Sequence, residues 1–334
     1  MQILNGKFIR SEMNKNARGG TEIIAEGLAA RVDPTLLQEV QIITSRVEEP
    51  LDETKIRIYH LQDLPGDPAS DHLKNGGWNK FHKLVFASNW QMQGYINHYG
   101  IPWSKCTVIQ NCIDPVEHHD KPNDGTLRLA YWSTPHRGLN ILVPVFSKLC
   151  EKYDNIELDV YSSFKLYGWE QRDEQYEALF EACRNHPKIN YRGTVENDVL
   201  RDNLLKTHIL AYPSIWQETS CITLMEAMSA GLVCVHPNLG ALHETAAGWT
   251  HMYQWNEDVN AHAHTFYAIL DNLIETYWDH NVQTKAASGR MYANLFYNWQ
   301  YRKLQWEALS QSLLQEPRAL PNTSNSSEFV YRVG

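Results

Sequence analysis

Two glutamates, Glu218 and Glu226, bracket the start of a small-residue helix in "WQETSCITLMEAMSAG", residues 216–231. The first N–H groups of a helix have no partners within it, and the helix dipole makes that end attractive to anions. A carboxylate is a poor neighbour for a phosphate but a good acceptor for sugar hydroxyls. A diphosphate at the helix start, with hydroxyl-bearing groups on either side, describes a sugar nucleotide. On this reading the helix begins near Ser220, and its first free N–H groups face the phosphate. A second reading uses the same letters. Thr223 and Glu226 fit a capping box, with Thr223 at the N-cap. That leaves only a short helix before Gly231 and gives Ser220, Cys221 and Ile222 no role.

A third charged group belongs with these. Arg137 stands directly before Gly138 at the head of "GLNILVPVFSKLCEKY". A cation at a helix N-terminus is unfavourable unless an anion is close, so Arg137 reads as a phosphate contact; the alternative is a solvated charge. Metal chemistry has no constellation behind it. Glu196-Asn-Asp198 opens a helix, where acids are favoured by the dipole. The fifteen histidines contain no HxxxH pair with a third ligand, and no GxxxxGK[ST] loop is present.

These residues need a scaffold that delivers strand ends to one place. Apolar, β-rich runs at 40–44, 55–61, 83–88 and 106–111 read as buried parallel strands. Residues 20–32 and 89–100 between them read as helices, the first placing Ile23, Ile24, Leu28 and Val32 near one face. The polar stretch 113–129 carries Pro115, Pro122 and Gly125 and reads as a linker. Alternation then restarts, with strands at 127–133, 156–162, 189–193, 208–214 and 232–237. The predicted class is α/β: two tandem Rossmann-like domains, ligands lying at the carboxyl ends of their strands. The predicted division is 1–118, 119–312 and a loose tail over 313–334. The amphipathic segment from Tyr297 reads as a C-terminal helix.

Composition narrows the classes. The chain has 334 residues, 43% of them hydrophobic, enough for two cores. A net charge of −9 argues against a phosphate-gripping nucleic-acid binder. No apolar run reaches the length of a membrane span, and "MQILNGKFIR" lacks a secretory layout. Six scattered cysteines without a CxxC pair suggest reduced thiols. The expected location is cytoplasmic, with peripheral membrane contact as an option. Lys7, Arg10, Lys15 and Arg18, set against Glu12, form a basic stretch that would suit an anionic acceptor or lipid surface, or simply a solvated loop.

At 212–245 the sequence resembles a family. "YPSIWQETSCITLMEAMSAGLVCVHPNLGALHET" is similar to the retaining GT-B glycosyltransferases of family 4: Pro-Ser after a strand, a Glu, a second Glu followed by Ala, a Gly, a strand, then a Gly and a Glu. The resemblance implies two Rossmann-like domains facing each other across a cleft, with the C-terminal helix crossing back. It gives Glu218 the donor sugar's hydroxyls, Glu226 the ribose, and the backbone of Thr219, Ser220, Cys221 and Ile222 at the helix start between them the diphosphate. "ARGGTE" (17–22) looks like the family's glycine-rich loop near donor phosphate and acceptor, with Gly19 and Gly20 letting backbone approach closely; an ordinary turn is the alternative. Arg137 takes the position of the family's phosphate lysine. The earlier arginine of the pattern is replaced by Ser133 or Thr134, and Cys112 replaces a usual glycine before the linker. "RIYHLQDLP" ends the strand where members place a catalytic His or Asp. Asp63 is the first choice and His60 the second. Alternation puts His60 and Gln62 on one face and Leu61 and Asp63 on the other, and which face meets ligand stays open.

The reading is therefore a metal-independent sugar transfer, with retention, from a nucleotide-sugar donor to a hydroxyl on a glycan, lipid-linked or small-molecule acceptor. It needs no cofactor and no nucleic acid. Two alternatives remain: a sugar-nucleotide epimerase of the same fold, and a non-catalytic sugar-nucleotide or glycan-binding protein.

Overall fold

The structure, a computed structural model, describes residues 1–10, 19–48, 50–318 and 320. It forms two compact units. One takes Met1–Cys112 and the chain from Trp299 onward; the other is Ile113–Asn298.

The first unit holds β1 (Gln2–Leu4), β2 (Lys7–Ile9), α1 (Gly20–Arg31), α2 (Pro34–Glu39), β3 (Val40–Thr44), β4 (Ile56–Leu61), β5 (Lys83–Phe86), α3 (Asn89–Tyr99) and β6 (Cys106–Val108). The four expected strands are β3 to β6, and they pair in parallel. The sheet is nonetheless mixed. Its order is β2-β1-β3-β4-β5-β6, with β1 antiparallel to both neighbours. A two-residue turn, Asn5-Gly6, makes the hairpin. Both residues have positive φ, 53° and 71°, as a turn matching the strand twist requires.

The second unit runs β7 (Leu127–Trp132), α4 (Leu139–Leu149), β8 (Ile156–Tyr161), α5 (Glu177–Asn185), β9 (Ile189–Tyr191), α6 (Asn197–Leu204), β10 (Ile209–Ala211), α7 (Ile222–Ser229), β11 (Val233–Pro237), α8 (Leu242–Ala246), β12 (His251–Tyr253), α9 (Val259–Glu275) and α10 (His280–Phe296). Its sheet is all parallel, in the order β12-β11-β10-β7-β8-β9. The chain starts in the middle at β7, winds outward through β8 and β9, then returns to the other side of β7 as β10. This is the doubly wound arrangement, with a switch point between β7 and β10.

Two predicted boundaries move. The first unit ends at Cys112, not at 118, because Ile113 and Val116 are buried in the second unit's core. The Ile113 amide donates to the Tyr297 carbonyl at 2.7 Å. The last helix, α11 (Trp299–Leu313), belongs to the first unit rather than to a 119–312 domain. Gly27 of α1 explains this: a Cβ there would sit 1.9 Å from the Trp299 ring, so only glycine lets the indole pack on the helix. Arg31 lies over the same ring at 4.9 Å. The tail expected to be loose is attached as far as Arg318. The Pro317 carbonyl accepts from His82 Nε2 at 3.1 Å, and Arg318 pairs with Glu39 at 2.6 Å. Residues 319 and 321–334 lie outside the described residues, as do Glu12, Lys15, Ala17 and Arg18 of the basic and glycine-rich stretches. Arg10, within them, pairs with Glu26.

Candidate functional site

In an open doubly wound sheet, ligands bind beyond the carboxyl ends of the strands at the switch point. Here two segments leave that point. After β7 come Ser133, Thr134, a short turn of 3-10 helix over Pro135–Arg137, Gly138 and then α4. After β10 come Tyr212, Pro213, Ser214 and the loop into α7. Gly138 lets the two segments touch. Its φ is +117°, and a Cβ would meet the Pro213 carbonyl oxygen at 2.1 Å.

Arg137 and Glu218, 81 residues apart in sequence, meet between these segments. Arg137 Nη1 donates to both Glu218 oxygens, at 2.9 and 3.1 Å. The Tyr212 hydroxyl donates to Oε1 at 2.6 Å, and Ser133 Oγ lies 3.4 Å from that hydroxyl. The Glu218 side chain is 6% exposed and that of Arg137 22%. Burial works to lower the Arg137 pKa, but the facing Glu218 carboxylate, together with Tyr167, Tyr212 and Cys221, outweighs it, so the guanidinium stays charged. Burial raises the Tyr212 phenol well above its usual range, which keeps it a donor. Arg137 Nε is buried and has no hydrogen-bond partner. The Glu218 backbone is fixed separately. It forms a parallel bridge with Gly240, and its carbonyl accepts from the Ala241 amide at 2.7 Å. A Cβ on Gly240, φ +62°, would lie 2.6 Å from the Glu218 nitrogen and oxygen.

The helix after Glu218 starts later than Ser220 and earlier than Thr223. Cys221 is the N-cap residue, without a side-chain cap bond, and Ile222 is the first helical residue. Thr219 and Ser220 belong to the loop leading in. The capping box does not form, because the Thr223 hydroxyl donates instead to the Trp132 carbonyl at the end of β7, at 2.9 Å. Glu226 lies in the second turn and is buried. Its carboxylate is 3.4 Å from Arg201 Nη1 of α6. Glu196 and Asp198 flank the start of that helix, Glu196 at the N-cap position without a side-chain cap bond.

The remaining predicted residues lie in the first unit. Gly19 is the N-cap of α1 and Gly20 its first residue. Asp63 follows β4; Ser45 Oγ donates to its carboxylate, and burial raises its pKa. His60 is 1% exposed inside the unit. Its ring stands edge-on to Trp306 of α11 at 5.1 Å, and Nε2 lies 2.7 Å from the Gln62 amide nitrogen. Burial pushes the imidazole down to about 3, so it is neutral. Asp63 is the more accessible of the two. Among the described residues no group of three His, Cys, Asp or Glu side chains is placed to hold a metal, and no helix is long and apolar enough to cross a membrane.

Tyr212, Arg201 and Gly240 have no role assigned from sequence. Tyr212 has a local signal, its place at a strand end two residues before Ser214. Arg201 has none.

Solved structures share this architecture. A glycosyltransferase from Rickettsia africae superposes with a TM-score of 0.63 at 15% identity, over 93% of this chain and 85% of that one. Anabaena Alr3699/HepE, solved in complex with UDP-glucose, gives 0.60 at 14% identity, over 88% and 77%. The fold is GT-B. A family model, "Glycosyl transferases group 1", matches residues 133–264, a span that includes both glutamates and Arg137. By sequence, a human phosphatidylinositol N-acetylglucosaminyltransferase subunit is 25% identical over 142 residues, 41% of this chain and 28% of that protein. The Schizosaccharomyces pombe gpi3 subunit of the same enzyme is 24% identical over 153 residues, 45% and 30%. The chain thus spans less than a third of the length of these curated relatives.

Proposed function

We propose that this chain is a glycosyltransferase similar to family 4, moving a hexose from a nucleotide-sugar donor to a hydroxyl acceptor with retention and without a metal. The observation that carries the reading is the Arg137–Glu218–Tyr212 cluster at the switch point of the second unit. It lies within the segment matched by the glycosyltransferase model. In this reading Glu218 accepts hydroxyls of the donor sugar. Oε1 already takes two hydrogen bonds and Oε2 one, so Oε2 retains the greater capacity. Arg137, whose side chain is partly exposed, meets the diphosphate along with the N–H groups at the start of α7. Glu226 takes the ribose. Rate enhancement then comes mainly from stabilising charge on the departing diphosphate, through an oxocarbenium-like transition state. The Gly19–Gly20 loop is assigned to the donor diphosphate, close to the acceptor, and Asp63 to the reacting carbon, ahead of the buried His60. The two relatives named for phosphatidylinositol favour a lipid-linked acceptor, reached at a membrane surface, over a free glycan or small molecule.

Incubation with a panel of UDP-, GDP- and ADP-sugars tests this. Free nucleoside diphosphate should accumulate from at least one donor, and EDTA should leave the rate unchanged. Isomerised donor without free nucleotide would make the chain an epimerase. Binding without turnover across a broad acceptor panel would make it a binding protein. Activity abolished by EDTA and restored by Mn²⁺ would overturn metal independence.

A further inference from the structure

Glu226 is buried on α7, yet its carboxylate has a cation against it that the sequence pattern does not mention. Arg201 sits one turn into α6. Its Nη1 is 3.4 Å from Glu226 Oε1, while Nη2 donates to the carbonyls of Asp114 at 2.7 Å and Pro115 at 3.1 Å. Those carbonyls are themselves held. The next amide, Val116, donates to Ser229 Oγ at 2.7 Å, and that hydroxyl donates to Asn294 Oδ1 at 2.5 Å. One arm of the guanidinium is thus anchored on backbone, and the other is presented to Glu226 with little freedom to swing away.

From this geometry we infer that Arg201 is a positioning residue, holding the Glu226 carboxylate ionised and oriented toward a vicinal diol of the ligand. The inference rests on Glu226 being the ribose contact. A carboxylate accepts from two adjacent hydroxyls only when both oxygens are unprotonated and their edge faces outward. Burial raises the Glu226 pKa. The groups opposing that rise are Arg201 foremost, then Asn197 from α6 and Trp132 from the end of β7, the last two neutral. Without Arg201 the carboxylate would protonate at higher pH, and the orienting contact would be gone.

The test compares wild type with Arg201→Gln, Arg201→Lys and Glu226→Gln. Gln retains donors for the two carbonyls and removes the charge; Lys retains the charge without the fork. Calorimetry measures affinity for UDP, GDP and ADP, carrying forward the tightest, against its 2′,3′-dideoxy analogue, between pH 6 and 9. The ratio of the two affinities cancels the titration of the phosphates. Wild type should prefer the ribonucleotide, by roughly ten-fold or more if one charge-assisted contact is at stake. Arg201→Gln should lose most of that preference. Its residual preference should fall as pH drops, because the carboxylate contact exists only above the Glu226 pKa. Arg201→Lys should recover part of it at neutral pH. A wild-type ratio in Arg201→Gln at every pH, with the ratio lost in Glu226→Gln, would overturn the Arg201 role alone. Equal weakening toward both nucleotides would make Arg201 a structural or phosphate group. An undiminished ratio in Glu226→Gln, or no binding of any nucleotide, would remove the ribose reading and this inference with it.

Discussion

Arg137→Ala should weaken nucleoside diphosphate binding by roughly ten- to a hundred-fold, the loss of one charge-assisted contact, and leave nucleoside binding nearly unchanged. It should also destabilise the protein. Arg137 is the cation against Glu218, whose side chain is 6% exposed. Removing one partner of a buried pair leaves an uncompensated charge, at a cost of about 3 kcal/mol. Arg137 is itself partly exposed, so solvent screening keeps the cost from being larger. Glu218 would retain only the Tyr212 hydroxyl among its present side-chain donors. Denaturant unfolding and calorimetric titration read the two effects separately. A variant as stable as wild type and equal to it in affinity for UDP, GDP and ADP would place Arg137 in solvent and unlink it from Glu218.

Gly138→Ala should be the most damaging single-methyl addition at the site. The residue sits at φ +117°, and the new Cβ would be forced to 2.1 Å from the Pro213 carbonyl oxygen, a backbone atom that cannot rotate away. Backbone strain and overpacking each cost about 1–3 kcal/mol, so a loss near 4 kcal/mol is expected. The relief available is to push the segment after β7 away from the segment after β10. That displacement separates Arg137 from Glu218, so donor turnover should fall beyond what partial unfolding explains. Gly193→Ala is the control: its φ is also positive, at +62°, but nothing lies within 4 Å of the added carbon. It should show strain alone, about 1–2 kcal/mol. Equal losses in the two variants would mean that the contact with Pro213 is not what holds the site together.

Much of the fold is written locally. The apolar runs at 40–44 and 127–133 announce buried strands because both faces of a parallel strand are covered. The hairpin at the N-terminus escapes a sequence reading because its strands are three residues each, although Asn5-Gly6 is a strong turn signal. The boundary at Cys112 escapes it because Ile113 and Val116 look like linker until the core they enter is known. In the site, the residue types are legible and their partners are not. Thr223 has the right spacing for a capping box, but a carbonyl 91 residues away takes its hydroxyl. Arg137 reads as a phosphate cation, and nothing in its neighbourhood announces Glu218. Arg201 meets Glu226 only because α6 and α7 send side chains into one core, a fact of topology rather than of spacing.

Glu218→Gln and Glu226→Gln, each assayed with the free nucleoside diphosphate and with the intact nucleotide sugar, divide the site into its two halves. Glu218→Gln should bind the nucleotide with near wild-type affinity and lose turnover of the donor by roughly a hundred-fold or more, as for a group that acts on developing charge. Glu226→Gln should weaken nucleotide and nucleotide sugar alike. Two variants that bind and turn over as wild type does, with only their melting temperatures lowered, would make the pair structural and contradict a sugar-nucleotide site here.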